Sequence, residues 1–278
     1  MTEVLSPSLP KERMFVYRHT AMVRITHWIN VVCIAVLIMS GLQIFNAHPA
    51  LYIGSKSTFD APVLSLTARL DDNGKAIGET KILGLSFNTS GVLGMSWGAD
   101  GGPVARGFPS WITLPSYQDL ATGRRWHFFF AWVFVITGLV YLIGSLLNRH
   151  LWRDLVPSRE QIRGIGRSIV EHLRLRFEHA RDYNVLQKLT YLGLVIVVLP
   201  LIVLTGLTMS PGMDSAFPWL LDLFGGRQTA RTIHFICASL IVLFIVVHLL
   251  MVLISGVFNN LRSMITGRYA IETEREPK

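Results

Sequence analysis

Charge is missing from long parts of this chain. The stretches 25–45, 127–147, 189–209 and 233–258 contain no Asp, Glu, Lys or Arg. Only 16% of the 278 residues are charged, against about 25% in an ordinary soluble domain. The mean hydropathy is +0.43. A soluble globular fold is therefore excluded, and each uncharged stretch meets the length of about 20 residues that a bilayer core demands. The spans hold no carboxylate of the kind an ion-coupled pump ordinarily carries. Cysteine is nearly absent. Cys33 and Cys237 both fall inside spans, near opposite faces, so they cannot bridge and read as small packing residues. A cleavable leader pattern is lacking too: the first 24 residues are polar and the first apolar run begins at Ile25, which reads as a retained anchor.

What is present is an excess of basic residues beside the spans. The net charge of +8 could suggest nucleic acid, but this clustering favours membrane topology and no nucleic-acid role. Four spans place the tails 1–24 and 259–278 and the 148–188 loop on one side. That side holds 17 Lys and Arg against 9 on the other. The positive side is expected to be cytoplasmic, with both termini inside a bacterial inner membrane. Pro200 is expected to kink the third span, as membrane helices tolerate.

The inner loop contains Ile162, Ile165, Ile169, Leu173 and Phe177 at helical spacing, interleaved with Arg159, Arg163, Arg167 and Arg174. This predicts an amphipathic helix on the inner membrane surface, its arginines reaching lipid phosphates. In the outer loop, 46–126, the stretches Leu64–Leu70 and Lys75–Ile82 flank Asp71-Asp72-Asn73-Gly74, a hairpin signal. A Gly-rich run, 91–107, and the aromatics Trp111, Tyr117 and Trp126 follow. A loop this long is expected to contact an outer-side partner or to form a lid over the membrane sites.

The ionisable groups inside the spans are His27, His127, His234 and His248. His234 and His248 are 14 residues apart on one apolar helix. They therefore share a face and lie roughly 21 Å apart along the axis, one near each membrane surface. His27 opens span one at the inner level and His127 opens span two at the outer level. The depths pair His27 with His248 and His127 with His234. Two imidazoles facing across an apolar bundle suit the axial positions of a haem iron. Zinc would want thiolates or carboxylates at the same depth, and none is near. His19 is the main rival to His27, but it precedes the apolar run.

Each span carries a small-residue triplet: Ser40-Gly41-Leu42, Thr137-Gly138-Leu139, Thr205-Gly206-Leu207 and Ser255-Gly256-Val257. Helix packing explains them, or close approach of a flat ring. Gly41 shares the face of His27 at the outer level, and Gly138 that of His127 at the inner level. Each is expected to offer a clear surface to the other level's haem. Arg24 at the inner level, and Arg124, Arg125 and Arg231 at the outer, are candidate partners for haem propionates; a topology role fits them equally.

These residues resemble a known family, the four-helix di-haem cytochrome b subunits of membrane-bound formate dehydrogenases, nickel-iron hydrogenases and thiosulfate reductases. The resemblance rests on Arg24-Ile25-Thr26-His27-Trp28, on Arg124-Arg125-Trp126-His127-Phe128, and on His234 with His248. It is nearest to the thiosulfate reductase type, by the Arg-Arg-Trp-His segment and the long loop before it. It implies electron transfer between a membrane quinone and a partner subunit, often a molybdenum or iron–sulfur protein on the outer side. The expectation is an all-α integral membrane protein: a four-helix bundle holding two b-type haems, with a long outer loop and an inner amphipathic helix. The alternatives are a stand-alone quinone oxidoreductase with a small outer-side donor, and a histidine-lined transporter.

Overall fold

The computed structural model describes residues 11–98, 101–148, 156–166, 168–169 and 185–274. Four of its helices are long and apolar enough to cross a membrane: α1 (Ala21–Asn46), α2 (Leu120–Leu147), α4 (Val185–Thr208) and α7 (Arg227–Ile254). They begin four to seven residues before the uncharged runs, because capping rather than hydropathy sets a helix start. Thr20 caps α1 by accepting from the Val23 amide at 3.4 Å, and Asp119 caps α2 by accepting from Thr122 at 3.0 Å. The last span was expected to run to Phe258, but it stops at Ile254. Gly256 then turns at φ 100°, a conformation that favours glycine, and α8 (Val257–Thr266) follows. In α4 a π-helical turn over Leu194–Val198 absorbs the missing amide of Pro200, with Leu199 N–H donating to Leu194 O.

The chain is not all-α. The long loop contains a four-stranded antiparallel sheet in the order β2 (Ala50–Leu51), β3 (Leu64–Leu70), β4 (Ala76–Ile82), β5 (Leu85–Asn88). A second ribbon pairs β6 (Met95–Trp97) with β7 (Pro103–Ala105). The hairpin anticipated at Asn73-Gly74 is there, in register from Leu64↔Ile82 to Leu70↔Ala76. Its turn is organised by Asp71, whose carboxylate accepts from the Asn73 and Lys75 amides at 3.0 and 2.7 Å. The loop is seated on the membrane helices through Phe45, Leu51 and Leu66, with Phe108 and Phe235 packed against them. Beyond the Asn73-Gly74 hairpin, the loop's other strands belong to a half-polar domain outside the spans, which a hydropathy argument does not reach.

The tails are structured as well. β1 (Lys11–Tyr17) pairs antiparallel with β8 (Arg268–Glu274), so both ends of the described chain lie on one side. Asn259 on α8 holds this ribbon, exchanging hydrogen bonds with Ala270 N and O at 2.9 Å each. Of the expected amphipathic helix, α3 (Arg159–Arg163), begun by a capping box of Ser158 and Gln161, and the helical residues 165–166 and 168–169 are described. Leu173, Phe177, Arg167 and Arg174 lie outside the described residues.

α1 packs along α2, and α4 along α7, whereas the two hairpins scarcely touch in the apolar interior. They meet at the loop side, where the Phe45 and Phe235 rings are 4.9 Å apart.

Candidate functional site

His127 is the eighth residue of α2 and His234 the eighth of α7, so each ring lies two turns in from the loop side. The two rings face each other from opposite hairpins with centroids 6.3 Å apart. Each is anchored in the same way by the other helix of its own hairpin. His127 Nδ1 lies 3.1 Å from Ser40 Oγ. His234 Nδ1 lies 3.2 Å from Thr205 Oγ1 and 3.0 Å from the Ile202 carbonyl. A carbonyl only accepts, so Nδ1 carries the proton in His234. The Ser40 and Thr205 hydroxyls donate to Val36 O at 2.6 Å and Leu201 O at 2.7 Å, which leaves their oxygens to accept from Nδ1–H. The Nε2 lone pairs are thereby free, without a partner among the described residues.

Glycines permit this anchoring. A Cβ on Gly41 would stand 3.3 Å from His127 Cε1, and one on Gly206 would stand 3.3 Å from His234 Cε1. Gly41 thus makes room for an imidazole and does not leave the bare surface expected of it. A Cβ on Gly138 would meet nothing within 4 Å.

The matches extend to a tandem repeat of two helices. Ser40-Gly41 with Arg124-x-x-His127 in the first hairpin corresponds to Thr205-Gly206 with Arg231-x-x-His234 in the second. This signal was legible as two recurring motifs, but nothing in the chain order says that a serine 87 residues away touches a particular histidine.

His27 and His248 occupy the other level. His27 lies six residues after the start of α1 and His248 six before the end of α7. They are near enough to interact electrostatically. Trp28 meets the His27 ring edge-on at 5.3 Å, and Phe244 stacks on His248 at 5.6 Å. His27 Nδ1 is buried with no partner among the described residues. His19 precedes α1, its amide bonded to Gly267 O.

The arginines differ from one another. Arg24 donates to Ile265 O through one guanidinium nitrogen while its buried Nε has no partner among the described residues. Arg124 lies over the Phe128 ring, 5.5 Å from its centroid, and Arg125 is exposed. Arg231 is spent on the loop: it donates to the carbonyls of Ala50 (2.8 Å) and His48, and covers Phe45. A buried cation that the chain order did not single out, Arg106, donates to Gln43, Thr113 and Ser116 O and ties the loop to α1. Burial pushes its guanidinium below the ordinary arginine value.

The loop-side pair suits an iron porphyrin. Two metal–imidazole bonds of about 2 Å each, with about 1 Å from each nitrogen to its ring centre, span about 6 Å, close to the separation observed. The fixed Nδ1–H tautomer presents the correct nitrogen. Among the described residues no cluster of three or more His, Cys, Asp or Glu could hold a bare metal ion.

Comparison with known proteins agrees. The family model for prokaryotic cytochrome b561 matches residues 18–267. The putative protein-methionine-sulfoxide reductase subunit YedZ1 of Azospira oryzae is 28% identical over 251 residues, covering 90% of this chain and 96% of that protein. No solved structure matches. The chain therefore belongs to the prokaryotic cytochrome b561 family, as a multi-pass membrane protein that transfers electrons through b-type haem.

Proposed function

We propose that the protein carries electrons between a membrane quinone and a partner oxidoreductase on its loop side, through two bis-histidine b haems. The observation that carries this reading is the loop-side pair: two imidazoles facing each other from two hairpins, each with Nε2 free. Haem supplies reversible one-electron chemistry when bound; the chain supplies ligands, orientation and surroundings. His127 and His234 would hold one group, and His27 and His248 the other. The 14-residue spacing on α7 sets the two levels roughly 21 Å apart.

Two features support the quinone and the partner. At the start of α1 a groove of about 610 Å³ is lined by Ala21, Arg24, Ile25, Trp28, Ile29, Met264 and Ile265. A lipophilic ring could enter it from the bilayer, with the unpartnered Arg24 Nε as a donor to its oxygen. On the loop side, the edge strand β5 leaves Leu85 and Phe87 exposed, and Leu83 at its turn is 75% exposed. An apolar open edge of this kind fits a protein partner. The relative's description as a subunit of a methionine-sulfoxide reductase supports a catalytic partner, and a molybdenum or iron–sulfur protein outside the cytoplasmic membrane would suit. The basic bias of the other side supports termini in the cytoplasm.

The test is haem content and reduced-minus-oxidised spectra with each of the four histidines replaced by alanine. Two haems in the parent are expected, with His127→Ala and His234→Ala losing one and His27→Ala and His248→Ala losing the other. Loss of the same haem from His27→Ala and His234→Ala would overturn the pairing, and a colourless parent the whole reading.

A further inference from the structure

We propose that Ser40-Gly41 and Thr205-Gly206 are positioning elements, two equivalent clamps that fix the tautomer and tilt of His127 and His234 and thereby hold the loop-side haem at a lowered potential. This rests on the reading of that pair as axial ligands. The clamps are built alike, although they are 165 residues apart in the chain. In each, the glycine lets the ring close on the neighbouring helix, with Cε1 at 3.3 Å from where a Cβ would be. In each, a buried hydroxyl meets Nδ1, joined in the second by the Ile202 carbonyl. Each hydroxyl is itself oriented by its donation one turn back, to Val36 O or Leu201 O. Ser40 and Thr205 are fully buried, so water does not compete for these contacts.

The electronic consequence follows. An imidazole whose N–H donates to oxygen is a more basic ligand, and a more basic ligand favours oxidised iron. Two such ligands act on the same iron from its two sides. The other level lacks this device in at least one ring, since His27 Nδ1 has no acceptor among the described residues. The chain thus differentiates its two sites with residues that touch neither iron nor porphyrin.

The experiment uses the intact cytochrome in detergent, titrated potentiometrically with optical spectra and low-temperature EPR. Ser40→Ala and Thr205→Val remove each hydroxyl with little change of shape. Each should move one spectral component to higher potential and shift its low-spin EPR signal, further in the double variant, with the other component stationary. Thr205→Ser should restore parental values. Gly206→Ala should tilt the ring and loosen haem retention about 10- to 100-fold. If Ser40→Ala does not assemble, Thr205→Val decides alone. Two retained haems with unshifted potentials and EPR signals refute the clamps while leaving the ligand assignment intact. Loss of different haems from His127→Ala and His234→Ala refutes the assignment itself.

Discussion

Arg231→Met offers a sharp choice between two roles for one cation. From its place in the chain Arg231 is a candidate for a propionate; in the structure it holds the loop. Its guanidinium donates to Ala50 O and His48 O, and the same two turns of α7 bind the loop at further points, including Gln228 Nε2 donating to Ser57 Oγ at 3.1 Å. Thr232 donates to Tyr52 O at 2.7 Å, Gly54 N donates to Thr229 at 2.7 Å, and Gly54 O accepts the Gln228 and Thr229 amides at 3.0 and 3.2 Å. Gly54 O thus satisfies amides that a helix start otherwise leaves open. Methionine keeps most of the stem and removes both donors, leaving the carbonyl of buried Ala50 without its partner. A hydrogen bond from a charged donor contributes about 1.5–3 kcal/mol, and the two are not independent, so a loss of about 2–4 kcal/mol is expected. At 1.4 kcal/mol per factor of ten, opening of segment 48–57 should rise roughly 30- to 700-fold. Hydrogen exchange by mass spectrometry on the detergent-solubilised protein reads this directly. Unchanged protection of 48–57, together with a shifted haem potential, would mean that the arginine serves a propionate and that the latch reasoning is wrong.

Two further outcomes concern the loop domain. Gly78→Ala would drive a Cβ into the Leu93 carbonyl and to 2.9 Å from Met95 N, both main chain, so about 1–3 kcal/mol of overpacking is expected. Limited proteolysis should find the loop opened while the haem spectrum stays parental; a loop as resistant as the parent's would contradict the packing. Burial, and then the charge of Arg231, hold the His48 imidazole below its ordinary value. The unfolded loop therefore binds more protons in the interval beneath about pH 6.5, and stability present above that value is lost as pH falls through it. Nicking within 48–57 should increase on acidification through this window, and His48→Gln should abolish the dependence; a mutant with the parental profile would remove His48 as its cause.

The membrane helices were legible because a bilayer imposes a length and a composition, both one-dimensional properties of the chain. The four histidines were legible for the same reason: depth along a helix is a linear coordinate, so matched depths suggest partners. Each membrane helix begins four to seven residues before its uncharged run, because Thr20, Asp119 and Gly54 O decide the starts through capping, not hydropathy. The hairpin at Asn73-Gly74 was seen through its turn chemistry. The β1–β8 ribbon was not, because its strands stand at opposite ends of the chain and pair only when four crossings return them to one side. Gly41 was assigned to a porphyrin face where it serves an imidazole, since angular position on one helix does not reveal which neighbour fills the space.

Composition and spacing alone indicated four segments long and apolar enough to cross a membrane, with imidazoles at two positions along them, because hydrophobic length and helical rise operate within one segment. Which nitrogen of each loop-side imidazole is free, and which arginines are already engaged, was decided only by the packing of one helix on another. Hydrogen-bond direction and steric room are properties of pairs of segments, and no single stretch contains them.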